Sequence, residues 1–211
     1  MSLFLGKIHY WLYNKINWFE DLEKEILKLG KKDKTINHEL ETSIYDKYGR
    51  TLENKPLEEI IDKDNIHGWL QDKISKAEIR EAIFVSEILN KKPKMKEELC
   101  RVFREQGEKA ARNYKINNSN IDTPEKAYNA LNDYILDGMP CDRINQIISK
   151  DENKIVWEQT TCIHKKYWDE ADGSVKNFYD LRDCWITCFI KTLNSELIYT
   201  STDFKKEIIK K

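Results

Sequence analysis

Cys162-Ile163-His164 sets a thiol and an imidazole two residues apart, directly after the β-branched run Lys154–Thr161. A thiolate is a strong nucleophile, and an imidazole at that spacing could take its proton. Further along, Cys184 and Cys188 stand four apart in a helical pattern, so their sulfurs share a face. Three readings of these residues remain open. Cys162 is a catalytic nucleophile with His164 or another histidine as base; Cys162, His164, Cys184 and Cys188 form a Cys₃His zinc set; or the thiols are inert core, since free cysteine is among the most buried residue types. Arg182, near the start of the following helical segment, suits a small carboxylate, with Tyr179 and Trp168 as further candidate ligand-binding side chains.

A second constellation lies near the N-terminus. Ile8-His9-Tyr10-Trp11-Leu12-Tyr13-Asn14-Lys15-Ile16 recurs as Ile66-His67-Gly68-Trp69-Leu70-Gln71-Asp72-Lys73-Ile74, with six of nine positions identical. Glu20 and Glu78 then stand at matching places. Eleven residues bring a helix almost back to its starting azimuth, so each histidine shares a face with its glutamate, about 16 Å away along the axis. Two helices built to one plan are expected to pack together with both tryptophans in the core. Antiparallel packing would set His9 beside Glu78 and His67 beside Glu20. Such pairs fit a proton relay, a ligand contact through His9 or His67, or plain structural pairing. A carboxylate-bridged di-iron bundle needs Glu-x-x-His, and only Asp64-Asn65-Ile66-His67 comes near it.

Helical spacing from Leu5 to Leu29 and from Ile66 to about Asn90 predicts the two long helices. A third follows over about 94–115, and Thr123-Pro124-Glu125 opens another with a capping residue and a proline in the first turn. Cys141–Ser149 reads as one more short helix. Strand patterns then cover Lys154–Thr161 and Glu196–Thr202, on either side of a helix over Phe178–Leu193. Two or three strands cannot stand alone, so the helices must cover them. The expected fold is α+β, mostly helical, with long helices on a small C-terminal antiparallel sheet. Residues 1–93 would form the helical region and 94–211 the remainder, sharing one core.

Composition narrows the function. Of 211 residues 35% are charged, yet 36 basic and 37 acidic side chains nearly cancel, which argues against nucleic acid as a partner. A hydrophobic content of 40% and aromatic content of 11% indicate a globular chain. No apolar run reaches the length of a membrane span, and the first residues turn polar too soon for a signal peptide. Five cysteines, an odd number in a chain of this size, predict reduced thiols and a cytoplasmic setting. The seven glycines form neither of the common phosphate-loop motifs.

From about Lys94 onward the order of features resembles the 4-vinyl-reductase-type ligand-binding domains and the L-2-amino-thiazoline-4-carboxylic acid hydrolase-like proteins of bacteria. The matching residues are Phe103-Arg104-Glu105-Gln106-Gly107-Glu108-Lys109-Ala110 and Thr123-Pro124-Glu125-Lys126-Ala127. After them come the strand to Thr161, Cys162 at its end, and Cys184 in a helix before a last strand. The resemblance implies a site cysteine at Cys162 and a small-molecule ligand. The chain departs from the pattern at its end, where Thr202-Asp203-Phe204 replaces a Cys-x-Phe.

These readings converge on a cytoplasmic small-molecule-binding protein, a cysteine-dependent hydrolase if it is an enzyme. It would act on a small C–N-bonded, carboxylate-bearing substrate without metal or cofactor, in a pocket between sheet and helices. The alternatives are a non-catalytic helical protein whose long helices pair in a homodimer, or a metal-binding protein using the Cys₃His set.

Overall fold

The computed structural model describes residues 5–202 and 205–211; the Asp203-Phe204 part of the C-terminal departure lies outside them. The fold is α+β and mostly helical, with a four-stranded antiparallel sheet in the C-terminal part. Its contacts divide the chain into two units that do not follow a single cut in the sequence. Unit 1 takes residues up to Met95 together with Leu136–Met139 and His164–Ser174. Unit 2 takes Lys96–Ile135, Pro140–Ile163 and Val175–Lys211.

Unit 1 is built on the repeat. Helix α1 (Lys7–Lys32) packs on α4 (Ile66–Lys91), with α2 (His38–Tyr48) and α3 (Leu57–Ile60) between them in sequence. The helices run parallel, not in the antiparallel arrangement that would pair His9 with Glu78. Arg80 of α4 meets Glu20 and Glu23 of α1, and further along Lys91 and Lys92 reach the Thr35 and Asp33 carbonyls at the end of α1. The intervening segment, with α2 and α3, is long enough to return the chain to its starting level, so matching residues come side by side. Leu12 and Leu70, and Ile16 and Ile74, join one buried cluster with Leu57 and Leu136. His9 and Glu78 are therefore kept apart by register.

The two tryptophans pack against this cluster but are only partly buried. Each carries the ammonium of the lysine one turn on, Lys15 at 3.9 Å from the Trp11 ring and Lys73 at 5.3 Å from the Trp69 ring. The indoles serve as amphipathic margins of the core. Helix α7 (Lys165–Glu170), unannounced by any periodicity, packs on α4. Tyr167 donates to Ser75 Oγ at 3.0 Å, and Asn90 donates to the Asp172 carbonyl at 3.2 Å. Gly173 lies against Ser86, where a Cβ would collide with the serine hydroxyl.

In unit 2, α5 (Lys96–Asn117) and α8 (Val175–Leu193) run side by side, joined at successive levels by Lys96 to Asp180, Cys100 to Cys184 and Gln106 to Trp185. Gly107 permits the close approach, since a Cβ there would stand 2.5 Å from the Trp185 carbonyl oxygen. The sheet order is β1-β2-β4-β3, all antiparallel. Helix α6 (Pro124–Asn132) packs on β2 (Lys154–Gln159) and β4 (Lys205–Lys210), while α8 packs on β3 (Leu197–Thr202).

The segment expected as a helix over Cys141–Ser149 holds instead a 3₁₀ turn at Pro140–Asp142 and strand β1 (Asn145–Lys150). The hairpin explains the difference. Asp151 accepts from the Asn153 amide at 2.8 Å, and this turn folds Gln146-Ile147-Ile148 back on Trp157. Among the described residues no helix is long and apolar enough to cross a membrane.

Candidate functional site

Cys162 follows β2 in unit 2, and its sulfur accepts a 3.1 Å hydrogen bond from the Tyr179 hydroxyl of α8. Burial, then the neighbouring Cys162, push the Tyr179 hydroxyl up from its ordinary value, so it stays a neutral donor at physiological pH. Two residues of the sheet complete the surroundings. Lys206 of β4 is only 5% exposed; its ammonium lies 5.6 Å from the Tyr179 ring centre and 3.5 Å from the Gln159 side-chain oxygen. Lys206 faces inward because it shares a strand face with the fully buried Ile208.

Arg182, one turn beyond Tyr179, is half-buried with its guanidinium over the Phe178 ring at 5.5 Å. Beside it Asp183 accepts from the buried Tyr199 hydroxyl at 2.7 Å. The Asp183 carboxylate thus anchors the Tyr199 side chain of β3 to α8. The half-buried sulfur thus has a phenol donor, with a buried ammonium near that phenol's ring and a guanidinium one turn further along α8.

His164 belongs to unit 1, separated from Cys162 by the boundary between the units. Its ring is fully buried; Nδ1 lies 2.9 Å from Glu78 Oε2 and Nε2 lies 3.4 Å from Asp137 Oδ1. Both ring nitrogens face carboxylates of its own unit. Trp168 is also in unit 1, almost wholly buried in α7. His9 acts locally, its Nδ1 accepting from the Gly6 amide at 2.9 Å at the start of α1, and His67 is exposed in the first turn of α4. Of the residues singled out in the sequence, the structure therefore brings Cys162 and Tyr179 into direct contact and sets Arg182 one turn further along α8, all in unit 2, while His9, His67 and His164 belong to unit 1.

The Cys₃His set does not assemble, because Cys184 is bonded to Cys100. This bond also corrects the expectation that all five thiols are reduced. The Cα atoms are 5.7 Å apart on facing helices, within the range a disulfide spans. An odd cysteine count could not reveal a pair set by helix packing. Cys188 stays a free thiol, and burial raises it above the ordinary range. Among the described residues there is no group of three or more histidine, cysteine, aspartate or glutamate side chains placed to hold a metal ion.

One constellation was only half seen in the sequence, which marked Glu20 and Glu78 but not Glu23, Glu81 or Arg80. The repeat continues three residues past Glu20 and Glu78, to Glu23 and Glu81, and all four glutamates are buried. In the α1 copy, Arg80 Nε bonds both oxygens of Glu23 at 3.0 and 3.1 Å, and its Nη2 bonds Glu20 at 2.6 Å. The Leu52 amide donates to Glu20 at 2.7 Å and the Tyr45 hydroxyl to Glu23 at 3.3 Å. Burial pushes Glu23 up to about 7 despite the guanidinium, with the Glu20 charge adding to the rise. Burial also raises Glu20, again against Arg80. The signal that could have found this cluster was the full Glu-x-x-Glu register of the repeat, with an arginine inside the second copy. No protein-family model, no curated protein and no solved structure matches this chain.

Proposed function

We propose that this chain binds a small carboxylate-bearing molecule beside Cys162 in unit 2, with thiol chemistry at that sulfur as its activity. The reading rests on one observation, the Tyr179 hydroxyl donating to Cys162 Sγ at 3.1 Å. Lys206 and Arg182 supply the positive charge that would hold the carboxylate. As a hydrolase, Cys162 would attack the carbon of a C–N bond, the nitrogen would leave with a proton, and water would release the thioester-like intermediate. Tyr179 is a polar side chain bonded to the sulfur. A cytoplasmic setting is part of the proposal, with the Cys100–Cys184 bond kept there by the burial of Cys100 rather than by the compartment.

The competing reading, a helical interaction protein, calls for an apolar stripe on a long helix. Among the described residues, the exposed large apolar side chains on α1 and α5 are the isolated Ile8 and Ile116. Ile147 and Ile148 on edge strand β1 are the better footing for a homodimer.

Paired alkylation tests the reading. Iodoacetate carries the carboxylate that iodoacetamide lacks, so the ratio of their rates at one thiol reports local anion attraction. Mass mapping should show a higher iodoacetate-to-iodoacetamide ratio at Cys162 than at the exposed Cys141, and Arg182→Gln should lower it at Cys162 alone. Equal ratios at the two cysteines would remove the anion-binding reading.

A further inference from the structure

We infer that unit 1 carries a second ligand site, a preformed cationic groove for a small phosphate-bearing molecule, distinct from the Cys162 cluster. The groove has a volume of about 370 Å³ and lies between α1, α2 and the loop after α2. Pockets for small molecules commonly run from about 300 to 1,000 Å³. Lys24, Lys28 and Lys31 line one wall, at a spacing that keeps them on one face of α1. Arg50 and Thr51 form the other wall, Tyr45 the floor, and Glu41 is the one acidic side chain in the lining.

What makes this a built site is how the buried ion cluster is spent. Arg80, Glu20 and Glu23 make three hydrogen bonds outside their own triad, and each goes to the groove or to the ends of its wall. The Tyr45 hydroxyl donates to Glu23, fixing the floor. Arg80 Nη1 donates to the Gly49 carbonyl at 3.2 Å, and the Leu52 amide donates to Glu20 at 2.7 Å. Gly49 and Leu52 flank Arg50-Thr51, a stretch with no regular secondary structure, so the loop is pinned at both ends. Gly49 has φ of 76°, a conformation that turns the chain there and favours glycine. Arg50 then lies over the Tyr45 ring, 5.1 Å from its centre, with a guanidinium able to fork onto two oxygens.

The charge of the lining selects the ligand class. Three ammonium groups and a guanidinium face one carboxylate. Lys24 and Lys28 also pair with Asp21 and Glu25, and Lys31 with Glu41. The first two are exposed pairs within one helix, weak in water and readily exchanged for a multiply charged ligand. A phosphate ester carries nearly two charges at neutral pH and three acceptor oxygens, which suits this lining better than a single carboxylate. The volume leaves room for the rest of a small molecule.

The test is titration calorimetry of the full chain with pyrophosphate and with ribose 5-phosphate, at constant ionic strength set by sodium chloride. Both should bind, and Lys31→Gln with Arg50→Gln should weaken binding at least about tenfold. Lys176→Gln with Lys205→Gln, two lysines outside the groove, should leave it unchanged. Absence of heat with either probe, or equal loss in both double variants, would overturn the site. Intact iodoacetate selectivity at Cys162 in the groove variant would show that the Cys162 reading stands or falls by itself.

Discussion

The two units bury similar long helices but fasten them by opposite means. Unit 1 closes α1 on α4 with ions, Arg80 of α4 between Glu20 and Glu23 of α1, while the buried His164 ring at the start of α7 meets Glu78 of α4. Unit 2 closes α5 on α8 with a covalent bond and a glycine that lets backbones touch. Buried ions demand partners in full, so they dictate where the loop around Gly49–Leu52 must go. A disulfide and a glycine contact dictate only helix spacing, and Cys162, Tyr179 and Arg182 stay half-buried. The difference separates a region that positions a loop from a region that keeps a half-buried thiol outside its disulfide.

Breaking the ionic fastening should have the largest effect. Arg80→Met leaves two buried carboxylates facing each other and should cost about 3–5 kcal/mol in denaturant unfolding. Amide exchange should report the loss in α1 and α4 before α5 and α8. Adding Glu20→Gln and Glu23→Gln should recover much of it, because the unpaired charges go with the arginine. A loss under about 1 kcal/mol in Arg80→Met would mean that the triad does not fasten unit 1.

Reduction, or Cys100→Ser with Cys184→Ser, is the matching break in unit 2. The bond closes a segment of 84 residues, so its removal should cost about 2–4 kcal/mol. Here exchange should rise in α5 and α8 while α1 and α4 hold. Thiol counting in denaturant gives the more direct check: three reactive thiols before reduction and five after. Five from the start would return the chain to its expected reduced state.

The pH dependence sharpens the contrast further. Glu23 has a folded-state pKa of about 7, above the ordinary 4.5, so the folded chain holds that proton more tightly than the unfolded chain. The stabilisation is fully present below pH 4.5 and is lost as pH rises through about 7. Its size is at most about 3 kcal/mol, shared with Glu20 through their common guanidinium. Unit 1 should therefore weaken between pH 5 and 7.5, by about 1–3 kcal/mol, and Glu23→Gln should flatten that slope. A wild-type slope unchanged by Glu23→Gln would show the proton is held elsewhere.

Much of the fold was legible because periodicity reports local structure. The spacing of Leu12, Ile16 and Leu22 is helical wherever the helix goes, and Lys154–Gln159 is a strand by residue type. Strand β4 hid because its inward residues are Lys206 and Ile208, an alternation broken by a lysine that only the folded sheet turns inside. Helix direction hid as well. A repeated motif says that two helices share a neighbourhood, but parallel or antiparallel packing depends on the path of the 33 residues between Asp33 and Asn65, which carry no such signal. At the candidate site, Cys162, Tyr179 and Arg182 were legible as reactive types close in sequence. Lys206 and Gln159 reach the same place through strand pairing, which sequence proximity does not show.

The smallest expected effect concerns the histidines that opened both copies of the repeat. His9 Nδ1 accepts from the Gly6 amide, one of the donors that a helix start leaves without an internal partner. Gly6 has no side chain to cap the helix itself, so His9 carries that half of a reciprocal cap whose other half is the His9 amide donating to the Gly6 carbonyl at 3.0 Å. In α4 the same duty falls to Asn65, whose side-chain oxygen accepts from the Gly68 amide at 3.1 Å, and His67 is exposed. The two histidines thus hold the same place in the repeat and do different work. His9→Ala should lower stability by about 0.5–1 kcal/mol, while His67→Ala should change it by less than about 0.5 kcal/mol. Asn65→Ala should reproduce the His9→Ala loss in α4. Equal losses for the two histidine variants would instead mean that the repeat keeps its histidines for a role shared by both copies, and that capping does not distinguish them.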